Sequence, residues 1–152
     1  MKDSKFKEEK LTLLRASVGR TAPDIAWKEN GKNLKLSSLT DGETYLLIFW
    51  STTCSHCLEE VPQLYKYMVS QPTTSVVAFA VENEEFEWNE YIKKLYGWHN
   101  VMGTHPENKW KNETVQKYQL TATPTYIILD KNKKIIAMPN SFKDIQIYFD
   151  SK

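Results

Sequence analysis

The chain has 152 residues, 41% of them apolar and 26% charged, and its 20 basic and 19 acidic side chains leave a net charge of +1. This suits one globular domain with a sizeable core, and the charge balance excludes the basic surplus of a nucleic-acid binder. Two cysteines exclude the multi-bridge scaffold of small secreted domains, and no apolar stretch approaches the ~20 residues that span a bilayer.

Residues 1–20 set Phe6, Leu11, Leu13 and Leu14 among many charges. They predict a peripheral lead-in, a frayed helix or an extended segment, without the pattern of a signal peptide. Such a lead-in is compatible with the remnant of a membrane tether or of an upstream domain. The domain itself is predicted over 21–152. It starts with a hairpin, Asp24 to Trp27 and Leu34 to Leu36 about a turn at Asn30-Gly31-Lys32, followed by Ser37 and Ser38 as candidate helix caps.

Tyr45 to Trp50 is continuously apolar, the pattern of a central strand covered on both faces. Leu58, Val61, Leu64, Tyr65 and Met68 then recur at helical spacing. Ser75–Val81 predicts a second covered strand, Glu84–Trp98 a helix, and Asn112–Leu120 a short helix. Thr125–Leu129 predicts a third strand, turned at Asp130–Lys133 into Lys134–Ala137, and Ser141–Phe149 predicts a closing helix. The order gives a mixed α/β sheet with helices on both faces, whose sites collect where strands end and helices begin.

Cys54-Ser55-His56-Cys57 falls at such a junction. Residues i and i+3 in a helical turn lie about 5–6 Å apart, within the reach of a disulfide. So short a loop makes a poor structural staple, because closing it removes little unfolded-state entropy. The helix N-terminus offers free N–H groups and partial positive charge to a thiolate, and cysteines so placed have pKa values lowered to roughly 3.5–7.5 from about 8.5. Cys54, the more N-terminal, is the candidate nucleophile and Cys57 the resolving thiol of a disulfide exchange. Two buried structural thiols, or half a zinc site, are the bland alternatives. Zinc wants four ligands, and only His56, His99 and His105 remain to help. No metal and no cofactor is therefore expected.

The segments Ala22-Pro23-Asp24, Gly31-Lys32 and Leu36-Ser37-Ser38-Leu39 resemble the lead-in of TlpA/ResA-like thioredoxin-superfamily proteins and of peroxiredoxins. Phe49-Trp50 with Cys54-x-x-Cys57-x-x-Glu60-x-Pro62-x-Leu64 resembles the TlpA/ResA-like helix motif. Thr123-Pro124-Thr125 resembles the cis-proline strand of thioredoxin-like proteins. Together these cover about residues 22–150. The resemblance implies a thioredoxin-like fold: a central mixed β-sheet flanked by helices, with an N-terminal β-hairpin extension and a central insertion near 83–113. It implies a protein-disulfide oxidoreductase that meets protein thiols or disulfides and a recycling redox partner, as a monomer, in a periplasmic or other extracytoplasmic setting.

By the same resemblance Pro124 is cis and faces the dithiol, Thr123 offers backbone hydrogen bonds to a partner peptide, and Trp50 joins them at the partner-binding surface. Glu60 lies near the resolving cysteine and adjusts its protonation, and Pro62 kinks the helix. Three positions depart from the pattern. Thr53 stands where the family usually has Trp, Ile48 falls where thioredoxin buries an aspartate, and Ser55-His56 replaces Gly-Pro. A histidine before the second cysteine resembles DsbA-type oxidants, where it stabilises the thiolate and makes the disulfide a better oxidant.

Two rival functions are weaker on the residues. A peroxiredoxin-like peroxidase wants Pro and Thr ahead of its cysteine, where this chain has Leu47 and Ser51. A non-catalytic module that holds copper or a partner usually spaces its cysteines by three residues and adds a distal histidine. His99 and His105 are expected to be solvated and without a role, and Lys131–Lys134 a solvated turn.

Overall fold

The apolar run at 45–50 is the middle of a five-stranded sheet in the computed structural model, which describes residues 17–152. Residues 1–16 of the expected lead-in lie outside the described residues. The strands are β1 (Ala26–Glu29), β2 (Lys32–Lys35), β3 (Thr44–Trp50), β4 (Thr74–Val81), β5 (His99–Gly103), β6 (Thr125–Asp130) and β7 (Ile135–Ala137). The helices are α1 (Ser55–Met68), α2 (Glu85–Tyr91), α3 (Glu113–Tyr118) and α4 (Phe142–Asp150). The main sheet has the order β5-β4-β3-β6-β7. Strands β3, β4 and β5 are parallel, while β6 runs antiparallel to β3 and β7 to β6.

Alternation along β3 explains why the run reads as continuous. Tyr45, Leu47 and Phe49 face one core with Trp27, Phe79, Val115 and Tyr118. Leu46, Ile48 and Trp50 face a second core with Val61, Leu64, Ile145 and Phe149. Strand β3 is fully buried from Tyr45 to Trp50, so both faces must be apolar. The expected mixed sheet flanked by helices is present.

The hairpin is also as expected: β1 and β2 pair antiparallel, with Glu29 opposite Lys32. Asn30 at φ 52° and Gly31 at φ 79° both occupy the left-handed region that a tight two-residue hairpin turn requires. Ser37 and Ser38 do not cap a helix. They lie within a single 3₁₀ turn, Leu36–Ser38, where Ser37 donates from its N–H (2.9 Å) and its hydroxyl (2.7 Å) to Asp24.

The stretch 84–98 is not one helix. α2 stops at Tyr91, tightens into a 3₁₀ turn at Ile92–Lys94, and Gly97 at φ 93° reverses the chain. The chain then enters β5, which the sequence reading does not contain. The second parallel crossover therefore ends at β5 on the sheet edge, not at β6. β5 begins with His99 and Asn100, and only Val101 and Gly103 of its residues are buried, so it has no apolar run to announce it.

His99 is not a solvated side chain. Its Nδ1 lies 2.8 Å from Glu29 on the hairpin and its Nε2 2.6 Å from Asp41, so it pins the hairpin to the sheet edge. Burial alone lowers its pKa, but the hydrogen bonds it donates to the Asp41 and Glu29 carboxylates, with their charge, outweigh burial and raise it above 6.5. A raised native pKa gives stability that is complete below the unfolded value and fades as pH rises through the folded one. His99→Gln is accordingly expected to cost about 1 kcal/mol at pH 6 and less at pH 9, read from urea midpoints. An equal cost at both pH values would remove the ionic interpretation.

Lys133 also departs from the solvated turn. At φ 67° it is buried, donates to the Leu39 carbonyl at 2.6 Å, and stands 4.6 Å over the Tyr45 ring. Residues Gly19 to Ala22 run beside β7, hydrogen-bonded to Ile135 and Lys133.

Candidate active site

The two cysteines bracket the first turn of α1. Cys54 is the N-cap of this 14-residue helix, in extended conformation (φ −105°, ψ 113°), and its Sγ accepts the Cys57 N–H at 3.2 Å. The cysteines are joined as a disulfide with Cα atoms 5.2 Å apart. A sulfur standing in the place of a capping oxygen meets the orphan N–H groups and the positive end of the helix. Cys57 is fully buried in the second core with Ile48, Trp50 and Val61, whereas Cys54 is only half-buried at its edge. The N-terminal sulfur is thus the one a partner can reach.

The second wall comes from the segment before β6. Antiparallel pairing of Phe49 with Thr125 carries Thr123 and Pro124 alongside the end of β3. The Thr123–Pro124 peptide is cis, and the Thr123 carbonyl lies 3.3 Å from Cys54 Sγ. Thr123 and Pro124 are half-buried, leaving backbone edge beside the reactive sulfur.

Two further expected site residues make their contacts within the fold. Trp50 is fully buried, its ring 5.0 Å from Tyr91. It forms the floor beneath the dithiol and offers nothing to a partner from outside, because the last residue of a doubly covered strand has no solvent side. Glu60 directs Oε1 to the Tyr126 hydroxyl (2.9 Å) and the Phe142 N–H (2.8 Å). It therefore ties α1 to β6 and supplies a carboxylate to the first turn of α4, where the helix field favours it. Burial, reinforced by Glu60, pushes the Tyr126 phenol well above its ordinary value of 10. Pro62 lies inside α1, which continues through it to Met68. His56, in the first turn, is exposed.

A polar clamp behind the dithiol loop is absent from the sequence reading. Glu82 has no solvent exposure. Its Oε2 accepts from the Thr52 N–H at 2.8 Å, from the Thr52 hydroxyl and from the Ser51 hydroxyl at 3.3 Å. Its Oε1 accepts from the N–H groups of Asn83 (3.1 Å) and Glu84 (2.9 Å). Burial would raise the Glu82 pKa, but the Thr52 and Glu84 hydrogen bonds and the charge of Lys109 lower it below 4.5. Lys109 Nζ donates to the Thr53 hydroxyl at 2.8 Å and to Ser51 at 3.0 Å. The Cys54 N–H in turn donates to the Ser51 carbonyl at 3.2 Å, so the loop is fixed from both sides.

One signal could have found Glu82. Parallel strands β3 and β4 pair Trp50 with Ala80, so the acid two residues past Ala80 sits level with Thr52. A charge ending one covered strand beside the loop ending its neighbour is a candidate site residue by position. Lys109 had no such signal, since its approach depends on the fold of the whole 104–112 loop.

Residues 17–144 match the Redoxin family. The chain is 29% identical over 104 residues to a thioredoxin-like protein of Haemophilus influenzae, covering 68% of this chain and 58% of that protein. It is 24% identical over 94 residues to the sporulation thiol-disulfide oxidoreductase A of Bacillus subtilis, covering 62% of this chain and 57% of that one. The matches thus span less than two thirds of either relative. In structure it superposes on a domain of a possible thiol-disulfide isomerase from Cytophaga hutchinsonii with a TM-score of 0.72 and 28% identity, over 89% of this chain and 92% of the other. The fold is thioredoxin-like.

Proposed function

The chain belongs to the Redoxin family, and on that footing we propose that it is a thiol-disulfide oxidoreductase whose Cys54–Cys57 pair exchanges disulfides with protein partners. One observation carries this reading. A half-exposed cysteine caps a helix, bonded to a buried cysteine one turn on, beside the Thr123 carbonyl.

The steps balance as follows. The Cys54 thiolate attacks a partner disulfide, forming a Cys54–partner bond and expelling the partner's second sulfur as a thiolate that takes up a proton. Cys57 gives up its proton and attacks Cys54, closing the 54–57 disulfide and releasing the partner's first sulfur. Two electrons pass to the partner, and the reverse sequence oxidises a partner dithiol. Thr123 and Pro124 supply the edge along which a partner peptide lies. The exposed His56, between the two cysteines in the first turn of α1, tunes the potential of the pair, and Glu60 acts through the packing of α1 on β6. The protein works as a monomer, recycled by a second redox protein.

An extracytoplasmic setting follows the TlpA/ResA-like resemblance and suits a compartment where disulfides persist. None of the described helices is long and apolar enough to cross a membrane.

Equilibration with mixtures of reduced and oxidised glutathione tests the reading, with the reduced fraction counted by alkylation. The expected result is a reversible two-electron equilibrium. A potential near about −270 mV assigns a reductant and one near about −120 mV an oxidant. A pair that stays fully oxidised or fully reduced across the whole series would overturn the proposal.

A further inference from the structure

The dithiol loop is held between two opposite charges that reach it from separate parts of the chain. Glu82 at the end of β4 binds Thr52 and Ser51. Lys109 binds Thr53, the residue directly before Cys54, and shares Ser51. The ammonium therefore holds a residue one position closer to Cys54 along the chain than any in the loop that the carboxylate holds. It spends its donors on neutral hydroxyls, so its charge is not cancelled by direct contact with an acid.

The loop that carries Lys109 is braced at several points. Asn108 caps the 3₁₀ turn Lys109–Lys111 through the Trp110 N–H at 2.9 Å. The His105 ring accepts from the Glu107 N–H at 3.2 Å, so His105 too has a role as a turn brace. Lys111 pairs with Glu107 at 2.6 Å. Asn112 donates to the Thr104 carbonyl and Gln116 to the Trp110 carbonyl. Lys109 is thus presented from a structured support and not from a free loop.

We propose that Lys109 is a positioning residue for the dithiol: by holding Thr53 and Ser51 it fixes Cys54 at the α1 N-terminus, and its charge favours the Cys54 thiolate. This inference rests on the redox reading of the cysteines and extends it. Glu82 lies behind the loop, and His56 follows in the first turn of α1. Removing Lys109 takes away the ammonium that opposes the Glu82 charge at the loop. The thiolate then loses a favourable neighbour, and the reduced form loses stability relative to the disulfide.

The test uses the full chain and three variants, Lys109→Met, Lys109→Arg and Thr53→Val. The Cys54 pKa is read from the pH dependence of alkylation of the reduced protein, and the redox equilibrium from glutathione mixtures. Lys109→Met is expected to raise the Cys54 pKa by about half a unit to one unit. It is also expected to shift the glutathione equilibrium roughly three- to tenfold toward the protein disulfide. Lys109→Arg should stay close to wild type in both, which a merely space-filling role would not require. Thr53→Val, which loosens the ammonium without removing it, should move both readings the same way by a smaller amount, and it decides the matter if Lys109→Met does not fold. Unchanged values in folded Lys109→Met, or in Thr53→Val where the former is unfolded, would overturn the proposal. The alkylation arm needs no disulfide exchange, so a wild-type protein that fails to equilibrate with glutathione would sink the functional reading and leave this one to the alkylation result.

Discussion

Cys57→Ser is expected to trap a mixed disulfide at Cys54, while Cys54→Ser loses exchange almost completely. The asymmetry follows from burial and capping. Cys57 Sγ is sealed in the core with Ile48 and Val61, and Cys54 Sγ stands at the rim with the Cys57 N–H pointed at it. Attack requires access and a thiolate, and the rim sulfur combines access with the helix N-terminus that favours one. Once Cys54 has bonded to a partner, the buried thiol is its nearest resolving nucleophile, with Cα atoms 5.2 Å apart. Serine at 57 cannot resolve, so the mixed species should accumulate and be released only by added reductant. The measurement is non-reducing electrophoresis or mass spectrometry of each variant after exposure to a protein disulfide. Equal adduct formation by both single variants, or adduct confined to Cys54→Ser, would reverse the assignment of nucleophile and resolver.

What could be read from the sequence was what local pattern controls. The Cys-x-x-Cys spacing, the doubly covered strands and the Asn-Gly turn each carry their structural meaning within a few residues, while the cis peptide at Pro124 is implied by the family resemblance of the Thr-Pro-Thr segment. Their arrangement in space is the expected one. The misses share a different character. Strand β5 is defined by pairing to β4 and not by its own composition, since His99 and Asn100 read as loop residues. His99 and Lys133 look solvated because charge normally is. Each is held by partners distant in sequence, Glu29 and Asp41 for the first and the Leu39 carbonyl for the second.

Glu60 and Trp50 show the opposite case. The resemblance singles them out by the motif they stand in, and the structure sets Glu60 against Tyr126 and Phe142 and buries Trp50 in the second core. Long-range polar contacts are the part of a fold that periodicity does not encode, and Glu82 and Lys109 both reach the dithiol loop through them.

That clamp sets the second large expectation. Glu82→Ala should destabilise the protein by about 3 kcal/mol or more, because hydrogen bonds to a charged group contribute about 1.5–3 kcal/mol each and several part-buried donors share this one acceptor. The groups that lose this acceptor are the N–H of Thr52, Asn83 and Glu84 and the Thr52 hydroxyl, while the Ser51 hydroxyl keeps Thr53 as a partner. Glu82→Gln should not restore full stability. Both carboxylate oxygens accept from N–H donors, so whichever end carries the amide nitrogen confronts a donor with a donor.

The same contacts give the pH dependence its sign. The native pKa of Glu82 is lowered from 4.5, so its contribution is present above that value and is lost as pH falls through the folded pKa. Wild type should therefore lose stability on acidification more steeply than Glu82→Gln, as measured by urea midpoints between pH 6 and 3. Parallel curves for the two proteins would mean that folding leaves the Glu82 pKa unshifted, and a wild-type curve that gains stability on acidification would mean that the carboxyl is neutral in the native state and the clamp a neutral hydrogen-bond network. With the carboxylate charged, Lys109 and Glu82 act on the loop as a pair. The folded position of Cys54 then depends on an acid at the end of a core strand and a base on a distant braced loop, both outside the Cys-x-x-Cys motif that performs the chemistry.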